Sequence, residues 1–152
     1  MEIEFKGFSE LFSEIDNIAK NVQGVMGNAL YRSGEIVRKN IVKGIRDQKY
    51  KSLWPALKEN TLKAKTNSKR ANKGKGSSLI LIDKGDYLSS FAVAKKSTEE
   101  VHVGSNHPQS RALEFGYEKN NIPARPHVLP AFEDSKSELE TELTSAIGDV
   151  FR

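Results

Sequence analysis

Residues 2–6 alternate between apolar and polar. Ile3 and Phe5 fall on one side, and Glu2, Glu4 and Lys6 on the other. A period of two predicts a half-buried strand, which Gly7 ends. From Phe8 the period lengthens. Phe8, Leu11, Phe12, Ile15, Ile18, Ala19 and Val22 recur at threes and fours, with Glu10, Glu14, Asp16, Asn17 and Lys20 opposite, which is the pattern of an amphipathic helix. The stripe resumes through Val25, Met26, Ala29, Leu30, Ile36, Val37, Ile41 and Ile45 and stops near Arg46. Gly24 and Gly27 each weaken a helix by about 1 kcal/mol relative to Ala. The pattern therefore allows one long helix bent near Gly24, or two in succession. The second part alone, about 22 residues, is roughly 33 Å long, which suits packing or subunit contact better than a site.

After a polar link, Leu53-Trp54-Pro55 opens the next element. Proline favours the first helical position, so a helix is predicted from Pro55 to about Lys65, with Leu57 and Leu62 inward. Residues 66–78 (TNSKRANKGKGSS) carry no large apolar side chain and predict a flexible surface loop. The run Leu79-Ile80-Leu81-Ile82 has no period that assigns it. Asp83 is placed to cap a short helix holding Tyr87 and Leu88. Phe91–Lys96 and Glu100–Gly104 flank Ser97-Thr98-Glu99 and predict a hairpin, with Val101 and Val103 on one face. Ala112–Phe115 is a short helical or extended piece closed by Gly116, and Gly104 and Gly116 are expected at turns with positive φ. Ile122-Pro123-Ala124-Arg125-Pro126 is stiff and non-helical because both prolines fix φ. A last helix from about Pro130 is expected to turn Phe132, Leu139, Leu143, Ile147 and Val150 or Phe151 inward. No repeat divides the chain, and its 152 residues predict a single domain over 1–152.

Composition narrows the classes. Hydrophobic residues are 37% and charged residues 29%, as in a globular protein with a wet surface. No apolar run approaches the ~20 residues that span a bilayer, so no membrane partner is expected. The opening Met1–Lys6 lacks a basic stretch leading into an apolar one, which predicts no secretory signal. The chain has no cysteine, which removes disulfides, thiolate metal sites and a cysteine nucleophile. The net charge of +4 is divided unevenly. Residues 133–152 hold Glu133, Asp134, Glu138, Glu140, Glu142 and Asp149 against Lys136 and Arg152. Residues 63–75 hold Lys63, Lys65, Lys69, Arg70, Lys73 and Lys75 and no acid. These six bases are the candidate contact with a neighbouring subunit or with nucleic acid. Phosphate neutralisation would give salt-dependent, non-specific binding to DNA. No aromatic is interleaved among them, so they form no stacking platform for single strands. The acidic last helix offers a complementary surface for head-to-tail self-association.

Catalytic chemistry finds little to build on. Gly74-Lys75-Gly76-Ser77-Ser78 departs from the phosphate-cradling loop, which needs a glycine where Lys69 stands and Ser or Thr where Gly76 stands. His102, His107 and His127 do not have converging metal-ligand spacing. Ser89 and Ser90 sit in no nucleophile-elbow setting. Asp83 and Asp86 are spaced to cap a helix start rather than to act as an acid–base pair. No enzyme, no cofactor and no metal are expected.

The order of segments carries more information. Trp54-Pro55-x-Leu57 is followed by Thr61-Leu62 and Lys65, then Leu81-x-Asp83-x-Gly85-x-x-Leu88-x-Ser90. Val101-x-Val103-Gly104-Ser105 and Ala112-Leu113-Glu114-Phe115-Gly116 come next. Ile122-Pro123-Ala124-Arg125-Pro126-x-Val128-x-Pro130-Ala131 closes the series. This series resembles a tailed-bacteriophage family, the Mu-type virion morphogenesis proteins and the related lambdoid tail-completion or neck proteins. The resemblance implies an α+β fold, with a long N-terminal helix packed on a small antiparallel sheet and a C-terminal helix. It implies a non-enzymatic structural protein of a phage or prophage virion. Such a protein completes the tail or forms the head–tail neck as a ring subunit. Its implied partners are itself and tail-tube, tail-terminator or head-connector proteins. Its implied location is the virion, and the host bacterial cytoplasm during assembly. Where the family often has an aromatic after Arg-Pro this chain has His127, and where it often has Tyr before the Ala-x-Glu-x-Gly segment this chain has Arg111. The structural family core is Trp54, Glu114, Gly116, Pro123, Arg125 and Pro126. Within it Arg125 is expected to pair with Glu114, and Trp54 to anchor the core.

Overall fold

The computed structural model describes residues 8–66 and 78–150. The strand expected over 2–6, nearly all of the basic loop, and Phe151 lie outside them.

The first amphipathic stretch is one unbroken helix, α1 (Phe8–Arg46), of 39 residues. At 1.5 Å per residue it is about 58 Å long. Its C-terminal half packs against the last helix and both strands. Its turn-by-turn partners there are small or apolar, and Ala29, Val37, Ile41 and Ile45 are buried.

After α1 the chain reverses through a single 3-10 turn, Lys51–Leu53. Gln48 holds the reversal in place. Its amide donates to the carbonyls of Ile45 (2.7 Å) and Ile80 (2.9 Å), and its carbonyl accepts from the Ile80 N–H (2.9 Å). The next helix, α2 (Glu59–Thr66), starts later than the proline predicted. The carbonyl of Pro55 is used by Arg125 Nε at 3.2 Å, and Trp54 Nε1 donates to the Pro126 carbonyl at 2.7 Å. These long-range bonds keep 54–58 off a helical path. Leu57 packs against the core, whereas Leu62 faces outward.

Helix α3 (Asp86–Ser89) is four residues long, and its N-cap is Gly85 at φ 90° with no side-chain cap. The capping expected of Asp83 does not occur. The hairpin forms as β1 (Phe91–Lys95) and β2 (Val101–Ser105), antiparallel, with Val93 opposite Val103 and Phe91 opposite Ser105. Gly104 lies in β2 opposite Ala92 and has no positive φ, so the turn expected there is absent. Gly116 does have one, at 79°, where it ends α4 (Ser110–Phe115). A 3-10 turn at Glu118–Asn120 and a bridge between Tyr117 and Ile122 lead into the proline segment.

The last helix, α5 (Val128–Val150), lies antiparallel on α1. Arg32 Nε meets Glu142 at 2.6 Å, and Asn40 Nδ2 donates to Ser135 Oγ at 2.9 Å. The seam is made of small side chains. Ala131, Ser135 and Ala146 are its buried α5 residues, and Ala29 is buried on α1. Close helix approach puts small residues on the axis between the helices and pushes bulk to the flanks. Phe132 and Ile147, expected inward, are therefore exposed, whereas Leu139 packs on the core. By the same register, Val150 falls opposite about Gly24. Residues 8–23 of α1, about 24 Å of helix, run past the end of α5.

The resulting fold is α+β, with the long N-terminal helix packed on the two-stranded sheet and, along the same half, on the C-terminal helix. Between the helices and the hairpin, the core gathers Val37, Ile41, Ile45, Tyr50, Trp54, Ile80, Tyr87 and Phe91. The hairpin packs tightly on α1 at Gly34, where an added Cβ would stand 2.8 Å from Val93 Cγ1 and from Val101 Cγ1. At Gly24 nothing lies within 4 Å of that position. Both glycines gain the same helix propensity on becoming alanine, about 1 kcal/mol. Gly24→Ala should therefore raise stability in urea unfolding by up to about 1 kcal/mol. Gly34→Ala should lower it by roughly 1–2 kcal/mol, because overpacking outweighs the gain. Equal effects from the two would refute this packing account.

Candidate functional site

Between α1, β2, α4 and α5 the described residues form an open apolar groove of about 920 Å³. Its floor is α1, through Leu30, Gly34 and Val37. One wall is β2, through Val103, and the other is formed by α4 and the start of α5. Large side chains on that rim face solvent. Phe115 is 75% exposed and Leu129 62%. In the floor lies Ser33, whose Oγ is buried and has no hydrogen-bond partner, the one such side-chain atom among the described residues. Arg111 stands on the rim, exposed and without an ion pair among the described residues.

The α4–α5 wall is held by a chain of polar groups behind it. Glu114 receives three backbone N–H groups at the first turn of α5: His127 at 2.9 Å, Val128 at 3.1 Å and Leu129 at 3.3 Å. Helix α5 begins just after Pro126 and has no capping side chain of its own sequence neighbourhood, so Glu114 satisfies donors that would be orphaned. His127 is fully buried. Its Nδ1 faces two acceptors, the Arg125 carbonyl at 2.7 Å and Glu114 Oε2 at 3.0 Å, which assigns a proton to that nitrogen. Nε2, 2.6 Å from the Tyr87 hydroxyl, then accepts from it in the neutral ring. The imidazole also stands edge-on to Tyr87 and Phe91, with centroids 5.6 and 6.0 Å apart. It thus fills an aromatic slot while carrying three polar contacts.

The ion pair expected between Arg125 and Glu114 is not formed. Arg125 turns to the Pro55 carbonyl, and Glu114 turns to α5 and His127. The carboxylate is drawn away because a helix N-terminus offers several donors at once. The loop is still pinned, but from two sides: Arg125 to 55, and Pro126 to Trp54. Trp54 is buried in the core, edge-on to Tyr50. Gly116 is needed where it stands, with positive φ and an added Cβ 3.0 Å from the Ala124 nitrogen. Pro123 is half-buried in the same loop.

Of the six candidate bases, Lys69, Arg70, Lys73 and Lys75 lie outside the described residues. Lys63 is exposed and pairs with Glu59 at 2.6 Å. Lys65 is buried, and its ammonium donates to the Leu79 carbonyl at 2.5 Å. Burial lowers its pKa, with the Asp83 charge opposing. Its charge serves the fold rather than an outside phosphate. Four acids of the last helix are also engaged at home. Glu133 pairs with Lys136, Asp134 with Lys49 and Tyr50, Glu138 with Asn40, and Glu142 with Arg32. A second, polar depression of about 520 Å³ between Lys39 and Glu138 has internally matched charges, Lys43 with Asp47 and Lys49 with Asp134. No cluster of three metal-ligating side chains occurs among the described residues, and no helix among them is long and apolar enough to cross a membrane.

Neither the groove nor the Tyr87–His127–Glu114 chain is apparent from spacing, since its members lie 40 and 13 residues apart. The available hint is the position of His127 between Pro126 and Val128, in a run otherwise suited to burial. The chain has no match among protein-family profiles, curated proteins or solved structures.

Burial opposes ionisation of Glu114, but hydrogen bonds from His127 and Val128 outweigh it and hold the carboxyl at about 2, below the ordinary 4.5. A carboxyl depressed on folding adds stability above its unfolded pKa and loses that stability as pH falls towards the folded one. Acid titration should therefore remove on the order of 2–3 kcal/mol between about pH 4.5 and 2. Glu114→Gln should cost a similar amount at pH 7, and the gap to the parent protein should narrow across that window. A gap independent of pH from 7 to 2 would show that the charge of Glu114 is not what holds α5.

Proposed function

We propose that this protein is a structural subunit of a tailed-phage or prophage virion, completing the tail or forming the head–tail neck as a member of a ring. One observation carries the reading. Among the described residues, two separate apolar faces stand exposed: Leu11, Ile15 and Ile18 on the projecting part of α1, and the groove between β2, α4 and α5. Soluble monomers rarely leave apolar patches beyond a few hundred Å² exposed, and larger ones mark interaction sites. Support also comes from the ordered series of segments from Trp54 to Ala131 that resembles the tail-completion and neck proteins. The titratable groups near the groove agree with a structural role. His127, Glu114 and Tyr87 bond to one another and to the start of α5, and the imidazole and carboxylate are turned inward.

Light scattering coupled to size exclusion, across a range of concentrations and with purified tail-tube, tail-terminator and head-connector proteins, tests this. A closed oligomer of fixed size, or a stable complex with one of those proteins, is expected. A strict monomer that binds none of them would overturn the proposal.

A further inference from the structure

The two exposed apolar faces fit each other. The projecting part of α1 carries Leu11, Ile15 and Ile18 on one side, exposed by 50, 51 and 61%. Their spacing of four and three is that of a helix meant to lie in a groove. Glu14 borders the stripe on one side, and residues 9–22 carry Glu10, Glu14 and Asp16 against Lys20. The groove supplies the opposite properties. It is apolar, it is bounded by Phe115, Leu129 and Phe132, and the cation on its rim without an ion pair among the described residues is Arg111. The other charged residue in its lining, Glu114, is already spent on α5. Ser33 adds an independent sign of an occupant, as a polar atom buried in the floor with no partner. An incoming helix edged with Glu14 and Asn21 brings hydrogen-bonding groups to it.

The contact must be between copies. The same helix forms the groove floor, from Leu30 to Ile41, and the arm, from residue 8 to about 23. A continuous α-helix cannot fold back onto its own side. We infer that the arm of α1, through Leu11, Ile15 and Ile18, docks in the groove of a second copy of this chain. This rests on the ring-subunit reading above and names the contact that builds the ring. Arm and groove are different surfaces, so the contact is heterologous and passes from copy to copy until it closes.

The absence of cysteine makes the test direct. Ile15→Cys in one preparation is mixed with Leu129→Cys or Phe115→Cys in another, and a short bismaleimide is added. Crosslinked dimers are expected in the mixtures and not in any single preparation. The chain carrying both changes should give a ladder of higher species. Separately, Ile15→Asp and Leu129→Asp, both at exposed positions, should each weaken self-association by about tenfold or more. Their circular dichroism and thermal unfolding should remain those of the parent. Oligomers that persist unchanged in both aspartate variants, with no crosslink in the mixtures, overturn the docking while leaving the virion reading intact. A parent chain that stays monomeric yet binds a tail or connector protein overturns the docking alone. A parent chain that neither self-associates nor binds any of them overturns both.

Discussion

The carboxylate of Glu114 is the constraint on which the rest of the structure depends. The first turn of a helix has N–H groups with no partner inside the helix, and α5, which starts one residue beyond the Pro126-His127 step, has such a turn. The acceptor comes from α4, thirteen residues upstream, and one side chain meets three successive N–H groups. The same oxygen faces His127 Nδ1, which orients the ring so that Nε2 meets Tyr87. Tyr87 belongs to α3, next to the hairpin. One carboxylate thus fixes the relation of α4, α5 and the sheet. Removing it would leave three donors at the helix start unmatched, two of them partly buried, a larger loss than one surface hydrogen bond.

That arrangement also gives the groove its walls. Bulk is excluded from the α1–α5 seam by Ala29, Ala131, Ser135 and Ala146, so the larger apolar side chains of α5 emerge beside the seam. Leu129 and Phe132 emerge next to Phe115, at the mouth of the concavity. Close packing in one place and exposed apolar surface in the other have the same origin.

The parts of the fold legible in the sequence were those with local causes. The amphipathic period located α1 and α5, and the short turn at 97–99 located the hairpin. Gly116 was identified because a positive φ at a helix end has a single-residue signature. What the sequence did not disclose depended on partners far along the chain. Pro55 did not start a helix because Arg125 holds its carbonyl. Asp83 did not cap α3, which Gly85 begins instead. Charge pairs Glu114 with Arg125, whereas the helix terminus offers it more donors. The inward side of α5 was judged by residue size, although helix contact here required the smallest side chains. The apolar stripe over residues 11–18 was readable as a pattern, but a pattern does not state whether its partner is in the same molecule.

Because α1 is one rod of 39 residues, its two ends are locked in rotational phase. Each residue between Ile18 and Leu30 turns the stripe by about 100° relative to the groove and advances it by about 1.5 Å. The number of residues in that interval therefore acts as an angular setting. In the ring proposed for this chain, the sequence length between two hydrophobic positions, rather than any contact at either one, would fix how far each subunit is rotated from the last and so how many close the circle.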